Sequence, residues 1–228
     1  MAEAPFNPLD KRHLGESVAR ALLGRPVGPL PPPRAFAGAG VYAIYYTGDL
    51  ESYRSVAEPN RNDRHQQPIY VGKAVPQGAM KGGFGLDAGA GNVLFRRLRE
   101  HARSIEQAEN LNGQDFQCRY LVAEDIWIPL GESLLIEWFQ PLWNVLLTGF
   151  GNHDTGRRRQ TQNRSFWDTF HPGRPWAARL SPNPKTRDEL GRLIADLFAG
   201  RDVPLLSPEQ AVIEEGAEAE EEGEEDAG

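Results

Sequence analysis

The stretch GVYAIYY, residues 40–46, decides the fold, together with PIYVG at residues 68–72. The β-branched and aromatic run 41–46 predicts a strand, and residues 68–72 predict a second, short strand that ends at a glycine. Residues 116–123 (FQCRYLVA) predict a third strand. The chain therefore carries at least three short strands that a small sheet can use.

Helices are predicted around these strands. Apolar positions at helical spacing predict helices over residues 7–24, 93–105 and 130–140. A last helix is predicted from Thr186 to Phe198, because Thr186 and Glu189 form a capping box and Gly200 follows. The order β-β-α-β-α predicts an α+β fold in which helices flank a mixed or antiparallel sheet of three strands.

Four segments are predicted along the chain. Residues 1–37 are an N-terminal helix with a proline-rich, extended arm at 26–33, and residues 38–148 are the core. The core carries long insertions at 49–67 and 75–92. Residues 149–205 are a basic and aromatic segment that ends in a helix, and residues 206–228 are an acidic tail that we expect to be disordered.

Composition excludes several classes of protein. The chain has 228 residues, of which 39% are hydrophobic, and it contains no apolar run of membrane-spanning length. The N-terminus does not resemble a secretion signal. Cys118 is the single cysteine, so an internal disulfide and a cysteine-based zinc cluster are both excluded. We expect a cytoplasmic protein.

The net charge of −7 argues at first against a nucleic-acid partner. Nine acidic residues lie between Glu214 and Asp226, and without them 23 of the 32 acidic residues face 25 basic ones. The body of the chain is therefore mildly basic. The tail is interpreted either as a solubilising segment or as a mimic of DNA charge that screens a basic cleft.

Polar groups among apolar neighbours are the candidates for chemistry. Arg97 and His101 share a helix face, and Glu132 precedes an apolar helical turn. Tyr42 and Tyr70 each lie two residues from a glycine, in Gly40-Val41-Tyr42 and Tyr70-Val71-Gly72 on the predicted strands. Each of these features alone is typical of an ordinary structural residue.

Together they resemble the GIY-YIG nuclease superfamily. Gly-Val-Tyr, Tyr-Val-Gly, Arg-x-x-x-His, Glu and Pro-x-x-Asn occur in the order of that superfamily, with valine in place of the central isoleucine. The resemblance covers residues 38–146. The wide separation of Tyr42 and Tyr70 and the glycine-rich loop before Arg97 resemble the Type II restriction endonucleases. NPLDKRHLGESVARALL and GVYAIYYTG are similar to the branch that cuts CCGCGG.

The resemblance implies a role for each matching residue. Glu132 would hold one hard cation, Mg²⁺ or Mn²⁺, and Arg97 would hold the scissile phosphate. Tyr42 would act as a phenolate base, with Lys73 or His101 lowering the cost of ionising it or His101 receiving the proton. Tyr70 would orient the water or a phosphate oxygen. Asn144 would fix backbone near the site, and Tyr45 and Tyr46 are interpreted as packing residues.

Two further segments are candidates for binding DNA. The glycines of 75–92 match neither a P-loop nor a dinucleotide motif, so the segment is interpreted as a loop that approaches DNA. Arg157, Arg158, Arg159 and Arg164 are the candidate DNA contacts in a segment where arginines and aromatics alternate up to Arg179. The alternative interpretation is that this segment wraps on the core through its aromatic residues, and the two interpretations are compatible.

The resemblance implies a magnesium-dependent restriction endonuclease that cuts double-stranded DNA at a palindromic, GC-rich site. A palindrome implies a homodimer, and a restriction role implies a DNA methyltransferase in the same cell. One alternative is a structure-selective or repair nuclease of the same superfamily. Another is a DNA-binding protein on this fold without catalysis.

Overall fold

The computed structural model describes residues 7, 9–75, 91–152 and 162–211. Four strands lie in these ranges, namely β1 (Gly28–Pro29), β2 (Gly40–Tyr46), β3 (Tyr70–Ala74) and β4 (Phe116–Val122). The helices are α1 (Lys11–Leu23), α2 (Arg54–Ala57), α3 (Val93–Gln107), α4 (Ile128–Phe139), α5 (Leu142–Val145), α6 (Phe166–Phe170) and α7 (Arg187–Phe198). The prediction of an α+β fold is confirmed, and none of the described helices is long and apolar enough to cross a membrane.

The described sheet has four strands in the order β1-β4-β2-β3, and all its pairings are antiparallel. The prediction of three strands was wrong by one. β1 is only two residues long and lies in the proline-rich stretch, where no alternation of apolar and polar residues could reveal it. Pro29 fits there because an edge strand does not need every N–H group for the sheet.

β2 lies in the middle of the sheet and is buried along its whole length. Tyr42, Ile44 and Tyr46 face a core that α3, α5, α6 and α7 cover. Val41, Ala43 and Tyr45 face a second core that α1 and α4 cover. The continuous apolar pattern of β2 follows from this burial on both faces.

The segment 49–67 joins the antiparallel strands β2 and β3, but it is not an open hairpin end. It contains a 3₁₀ turn, Glu51–Tyr53, and helix α2. Asn60 donates from its side-chain amide to the carbonyls of Tyr46, Val56 and Gln67, at 3.1, 2.9 and 2.7 Å. The insertion is therefore fixed to the end of β2 by one buried side chain.

The C-terminal segment also has more regular structure than its sequence predicted. It contains α6 and the 3₁₀ turn Ala177–Arg179. The capping box of α7 is present, with hydrogen bonds in both directions between Thr186 and Glu189. α6 was missed because five residues are too few to show a helical period.

Candidate active site

Tyr42 and Tyr70 lie on adjacent strands and point to the same face of the sheet. Tyr42 is paired with Gly72 across β2 and β3, and Tyr70 lies two residues from Gly72. Their ring centroids are 6.2 Å apart. A Cβ atom at position 72 would lie 2.5 Å from the Tyr42 hydroxyl oxygen, so glycine is needed there to leave room for the phenol.

Helix α3 brings His101 and Arg97 to this face. Both belong to its buried side, one helical turn apart. A hydrogen bond of 2.5 Å joins the Tyr42 hydroxyl to Nε2 of His101. The centroid of the His101 ring is 5.1 Å from that of Tyr70. Tyr42, Tyr70 and His101 therefore form one aromatic cluster. Within it, the hydrogen bond between Tyr42 and His101 is a path for a proton.

The sequence did not indicate the turn Gly149–Asn152, which completes this cluster. Phe150 stacks on His101 with ring centroids 4.5 Å apart and an angle of 17°. The same ring meets the Tyr70 ring edge-on at 4.8 Å. Nη2 of Arg97 donates to the Gly151 carbonyl at 3.3 Å. The glycines on both sides of Phe150 are a signal that could have revealed this turn, although the turn was not predicted from it.

Glu132 and Lys73 form a second cluster beside the first. Glu132 lies on α4 and is fully buried, and the Lys73 side chain is 11% exposed. Lys73 Nζ lies 2.5 Å from Oε2 of Glu132. By strand alternation, Lys73 faces α4, whereas Tyr70 and Gly72 face α3. The edge strand β3 therefore carries residues of both clusters.

Asn144 holds β3 in place from outside the sheet. Its Oδ1 accepts a hydrogen bond from the N–H of Val71 at 2.9 Å, and its Nδ2 donates to the carbonyl of Val71 at 2.8 Å. These two bonds satisfy both backbone groups of the residue between Tyr70 and Gly72. Asn144 thus fixes the strand that carries two of the candidate residues, Tyr70 and Lys73.

Tyr45 and Tyr46 lie outside this arrangement. Tyr46 accepts a hydrogen bond from the N–H of Leu50 at 2.8 Å. Tyr45 points to the opposite face, where burial raises the pKa of its phenol to about 12 and Arg119 acts against that rise. Both are packing residues of the two cores.

The described part of the C-terminal segment packs on the core. Trp167 and Phe170 are buried in the core, and Arg174 is 1% exposed. The Arg164 guanidinium is half-buried and donates to the carbonyls of Ala177 and Ala178, both at 3.1 Å. The described part of this segment therefore wraps on the core, as the alternative interpretation stated. Arg157, Arg158 and Arg159 lie outside the described residues, as do residues 76–90 of the glycine-rich loop and residues 212–228 of the tail.

An antiparallel sheet that pairs two tyrosine motifs, with an arginine-histidine helix face and a glutamate helix against it, defines a nuclease of the GIY-YIG class. The family model described as the Eco29kI GIY-YIG domain matches residues 34–197. This match spans well over half of the chain, and the chain belongs to that family of Type II restriction endonucleases. It is therefore an endonuclease, and its substrate is DNA. None of the curated proteins compared with it matches.

Proposed function

We propose that this chain is a homodimeric restriction endonuclease that cuts both strands of double-stranded DNA at CCGCGG with the help of a divalent cation. The observation that carries the proposal is the 2.5 Å hydrogen bond between the Tyr42 hydroxyl and His101 Nε2. It gives a buried phenol a proton acceptor in direct contact, beside an arginine that suits a phosphate.

Tyr42 is the proposed general base. Ionising a free phenol at neutral pH costs about 4 kcal/mol. A neutral His101 accepts the phenol proton through Nε2, and the imidazolium that forms stabilises the phenolate at the same contact. The phenolate then takes a proton from the attacking water, and Tyr70 on the same face orients that water. Lys73 and His101 are the two side chains that could lower the cost of ionising Tyr42. His101 contacts the Tyr42 hydroxyl, whereas Lys73 contacts Glu132.

Arg97 is the proposed phosphate ligand. Its guanidinium belongs to the buried side of α3, on the same face as His101. A guanidinium binds a phosphate through two parallel hydrogen bonds, which also fix the orientation of the scissile group. The bond from Nη2 to the Gly151 carbonyl fixes the guanidinium in one rotamer.

Glu132 is the proposed protein ligand of Mg²⁺, with Mn²⁺ as a substitute. A hard cation such as Mg²⁺ keeps most of its waters and is bound through one or two carboxylates, so a single buried carboxylate suits it. The ion pair between Lys73 Nζ and Oε2 supports the assignment, because the buried carboxylate already pairs with a positive charge. When bound, the metal would neutralise charge on the phosphate and on the leaving oxygen.

Membership in a family of Type II restriction endonucleases supports the proposed palindromic target, homodimer and partner methyltransferase. Two-fold symmetric DNA is matched by two-fold symmetric protein. The choice of CCGCGG is supported by the similarity of residues 7–23 and 40–48 to that branch. A repair nuclease of the same superfamily is the second candidate, and it would nick DNA as a monomer.

The test is a plasmid with one CCGCGG site and a matched plasmid with one base pair of that site changed. Each is incubated with the purified protein and magnesium, or with EDTA. We expect one linear product from the first plasmid only, with magnesium only. Nicked circles from both plasmids would favour the repair nuclease. Glu132→Ala should bind the first plasmid and leave it uncut, and full cutting by this variant would overturn the assignment of the metal ligand.

A further inference from the structure

A buried arginine outside the motif residues holds the turn that contacts the active site. Arg174 lies between α6 and the Ala177–Arg179 turn and is 1% exposed. Its guanidinium makes five hydrogen bonds, two to the Asp168 carboxylate and three to the carbonyls of Gly149, Phe150 and Asn152. We propose that Arg174, fixed by Asp168, is a positioning residue of this nuclease, acting through the turn Gly149–Asn152.

The guanidinium leaves none of its N–H groups unused. Nε and Nη2 donate to the two oxygens of Asp168 at 2.7 and 2.8 Å. Nη1 donates to Phe150 and Asn152 at 3.1 and 2.9 Å, and Nη2 also donates to Gly149 at 2.7 Å. An arginine side chain has five N–H donors in a planar fork, so each one has an acceptor here.

The fork is itself held rigidly. Trp167 and Trp176 lie against the guanidinium, with the Cζ atom 4.5 and 4.6 Å from their ring centroids. Ser165 donates to Oδ2 of Asp168 at 2.7 Å and caps α6. The Asp168 carboxylate is therefore oriented by Ser165 as well as by Arg174. Lysine would not replace this arginine, because an ammonium has three donors and no planar geometry.

The turn Gly149–Asn152 connects the arginine fork to the candidate catalytic residues. Its Phe150 stacks on His101, and its Gly151 carbonyl accepts from Arg97. Gly149 has a φ of +95°, and a Cβ atom there would lie 2.2 Å from Cβ of Ser165. The turn thus depends on a conformation that glycine allows and that the arginine fork holds. Displacement of the turn would move the proposed phosphate ligand and the proposed proton acceptor together.

The first experiment uses Arg174→Lys, with Arg61→Lys as the matched control. Arg61 also donates to backbone carbonyls and a carboxylate, but in the loop after β2, at Thr47, Gly48 and Asp49. The readout is single-turnover cleavage together with DNA affinity measured in Ca²⁺. We expect Arg174→Lys to slow cleavage about 100-fold with little change in affinity, since a displacement of about 1 Å at a site has that effect. Arg61→Lys should cleave at the unaltered rate.

The second experiment reads the turn without any cleavage. Ring currents from Phe150 shift the imidazole signals of His101 in a ¹H–¹³C spectrum, and His101→Gln assigns those signals. Arg174→Lys should move the His101 signals and leave those of His13 and His65 in place. An unmoved His101 signal in a folded Arg174→Lys protein, or an unaltered cleavage rate, would overturn the inference.

Phe150→Leu keeps the proposal testable if Arg174→Lys does not fold. This change removes the stack on His101 and leaves the buried fork intact, so it should slow cleavage and shift the His101 signals. Cleavage at the unaltered rate by Phe150→Leu would overturn the proposal. The inference rests on the proposed roles of Arg97 and His101. The two experiments distinguish a failure of the inference from a failure of the proposed function. No cutting by the unaltered protein would overturn the proposed function, whereas the His101 signals test the turn alone.

Discussion

Two tyrosines of β2 stand three positions apart and differ in what their hydroxyl groups contact. The Tyr42 hydroxyl bonds to His101 at 2.5 Å. The Tyr45 hydroxyl is buried on the opposite face and has no hydrogen-bond partner among the described residues. At the scale of single residues, this pair sets the proposed general base apart from a packing residue of the same strand.

Tyr42→Phe is expected to lower the cleavage rate by about 10²- to 10⁴-fold, the usual contribution of a general base. The protein should still fold, because the ring is retained and only about 1 kcal/mol is lost with one hydrogen bond. Single-turnover cleavage and urea unfolding measure the two effects. Tyr45→Phe is the control and should change neither, since its hydroxyl makes no bond to lose. Equal losses from both variants would count against the assigned base.

Gly72→Ala tests the close approach beside the same phenol. The added methyl group would lie 2.5 Å from the Tyr42 hydroxyl oxygen and 2.7 Å from its Cζ atom, so the ring must move away from His101. We expect cleavage to fall to a level near that of Tyr42→Phe. Gly28→Ala is the control, because nothing lies within 4 Å of the added atom. Wild-type cleavage by Gly72→Ala would show that the ring position does not matter.

At the scale of elements, the edge strand β3 depends on Asn144. The side chain both accepts from and donates to Val71, so an aspartate at this position would keep only the accepting bond. A buried carboxylate facing a carbonyl oxygen is unfavourable. We expect Asn144→Asp to lower the free energy of unfolding by about 1–3 kcal/mol and to slow cleavage as β3 shifts.

The control for this prediction is Asn112→Asp. Asn112 is an exposed N-cap whose Oδ1 accepts a hydrogen bond from the N–H of Gln114. Asparagine and aspartate cap helices about equally well, so this variant should match the unaltered protein. Urea denaturation measures both. Equal stability of the two variants would contradict the role given to Asn144.

A buried chain of hydrogen bonds fixes α6 to the insertion after β2. Trp143 Nε1 donates to the Tyr53 hydroxyl at 3.0 Å, and that hydroxyl lies 2.5 Å from His171 Nε2. Nδ1 of His171 faces Oδ1 of Asn110 at 2.9 Å. Because an amide oxygen only accepts, Nδ1 carries a proton. Burial holds the pKa of His171 well below its ordinary value, so Nε2 is left without a proton and accepts from the Tyr53 hydroxyl. His171 is therefore neutral in the folded protein.

The buried position of His171 makes the free energy of unfolding depend on pH. Burial first, then Arg187 and Arg174, hold the pKa of His171 well below its ordinary value of 6.5. Above pH 6.5 the contribution of a neutral His171 is fully present. Below pH 6.5, His171 binds a proton in the unfolded state but not in the folded state. The free energy of unfolding therefore falls as the pH is lowered toward the folded-state pKa, by at most about 1.4 kcal/mol per pH unit.

Urea unfolding between pH 5 and 8 checks this dependence. His171→Gln should flatten the slope below pH 6.5, although it is less stable throughout. His13→Gln, on α1, should keep the slope of the unaltered protein. An unchanged slope in His171→Gln would assign the acid sensitivity to other groups.

At the scale of the whole molecule, charge is divided between a mildly basic body and an acidic end. Replacing the nine acidic residues between Glu214 and Asp226 by glutamine changes the formal net charge from −7 to +2. We expect tighter non-specific DNA binding at low salt, because the long-range repulsion of phosphates is removed. The gain should fade at high salt. Fluorescence anisotropy at several salt concentrations measures it, and equal affinity at low salt would show that the tail does not repel DNA.

The motif residues were predictable because each one carries a local signature. Tyr42, Tyr70, Arg97, His101 and Glu132 are read from short patterns on strands and helices whose periods are visible in the sequence. β1 was missed because two residues show no period. The sequence left open whether the basic segment packs on the core or faces DNA, because arginine and tryptophan have the same pattern on a DNA surface and in a buried cation–π contact. Burial alone separates those two cases.

The sequence by itself determined the α+β class, the elements that carry the motif residues and the family to which they point. These properties depend on side-chain periodicity and short-range spacing, which are local. The tertiary structure decided that His101 is the partner of Tyr42, that Lys73 is the partner of Glu132, and that Arg174 supports the turn beneath them. Those contacts join residues tens of positions apart, and only the packing of helices on a sheet of fixed register brings them together.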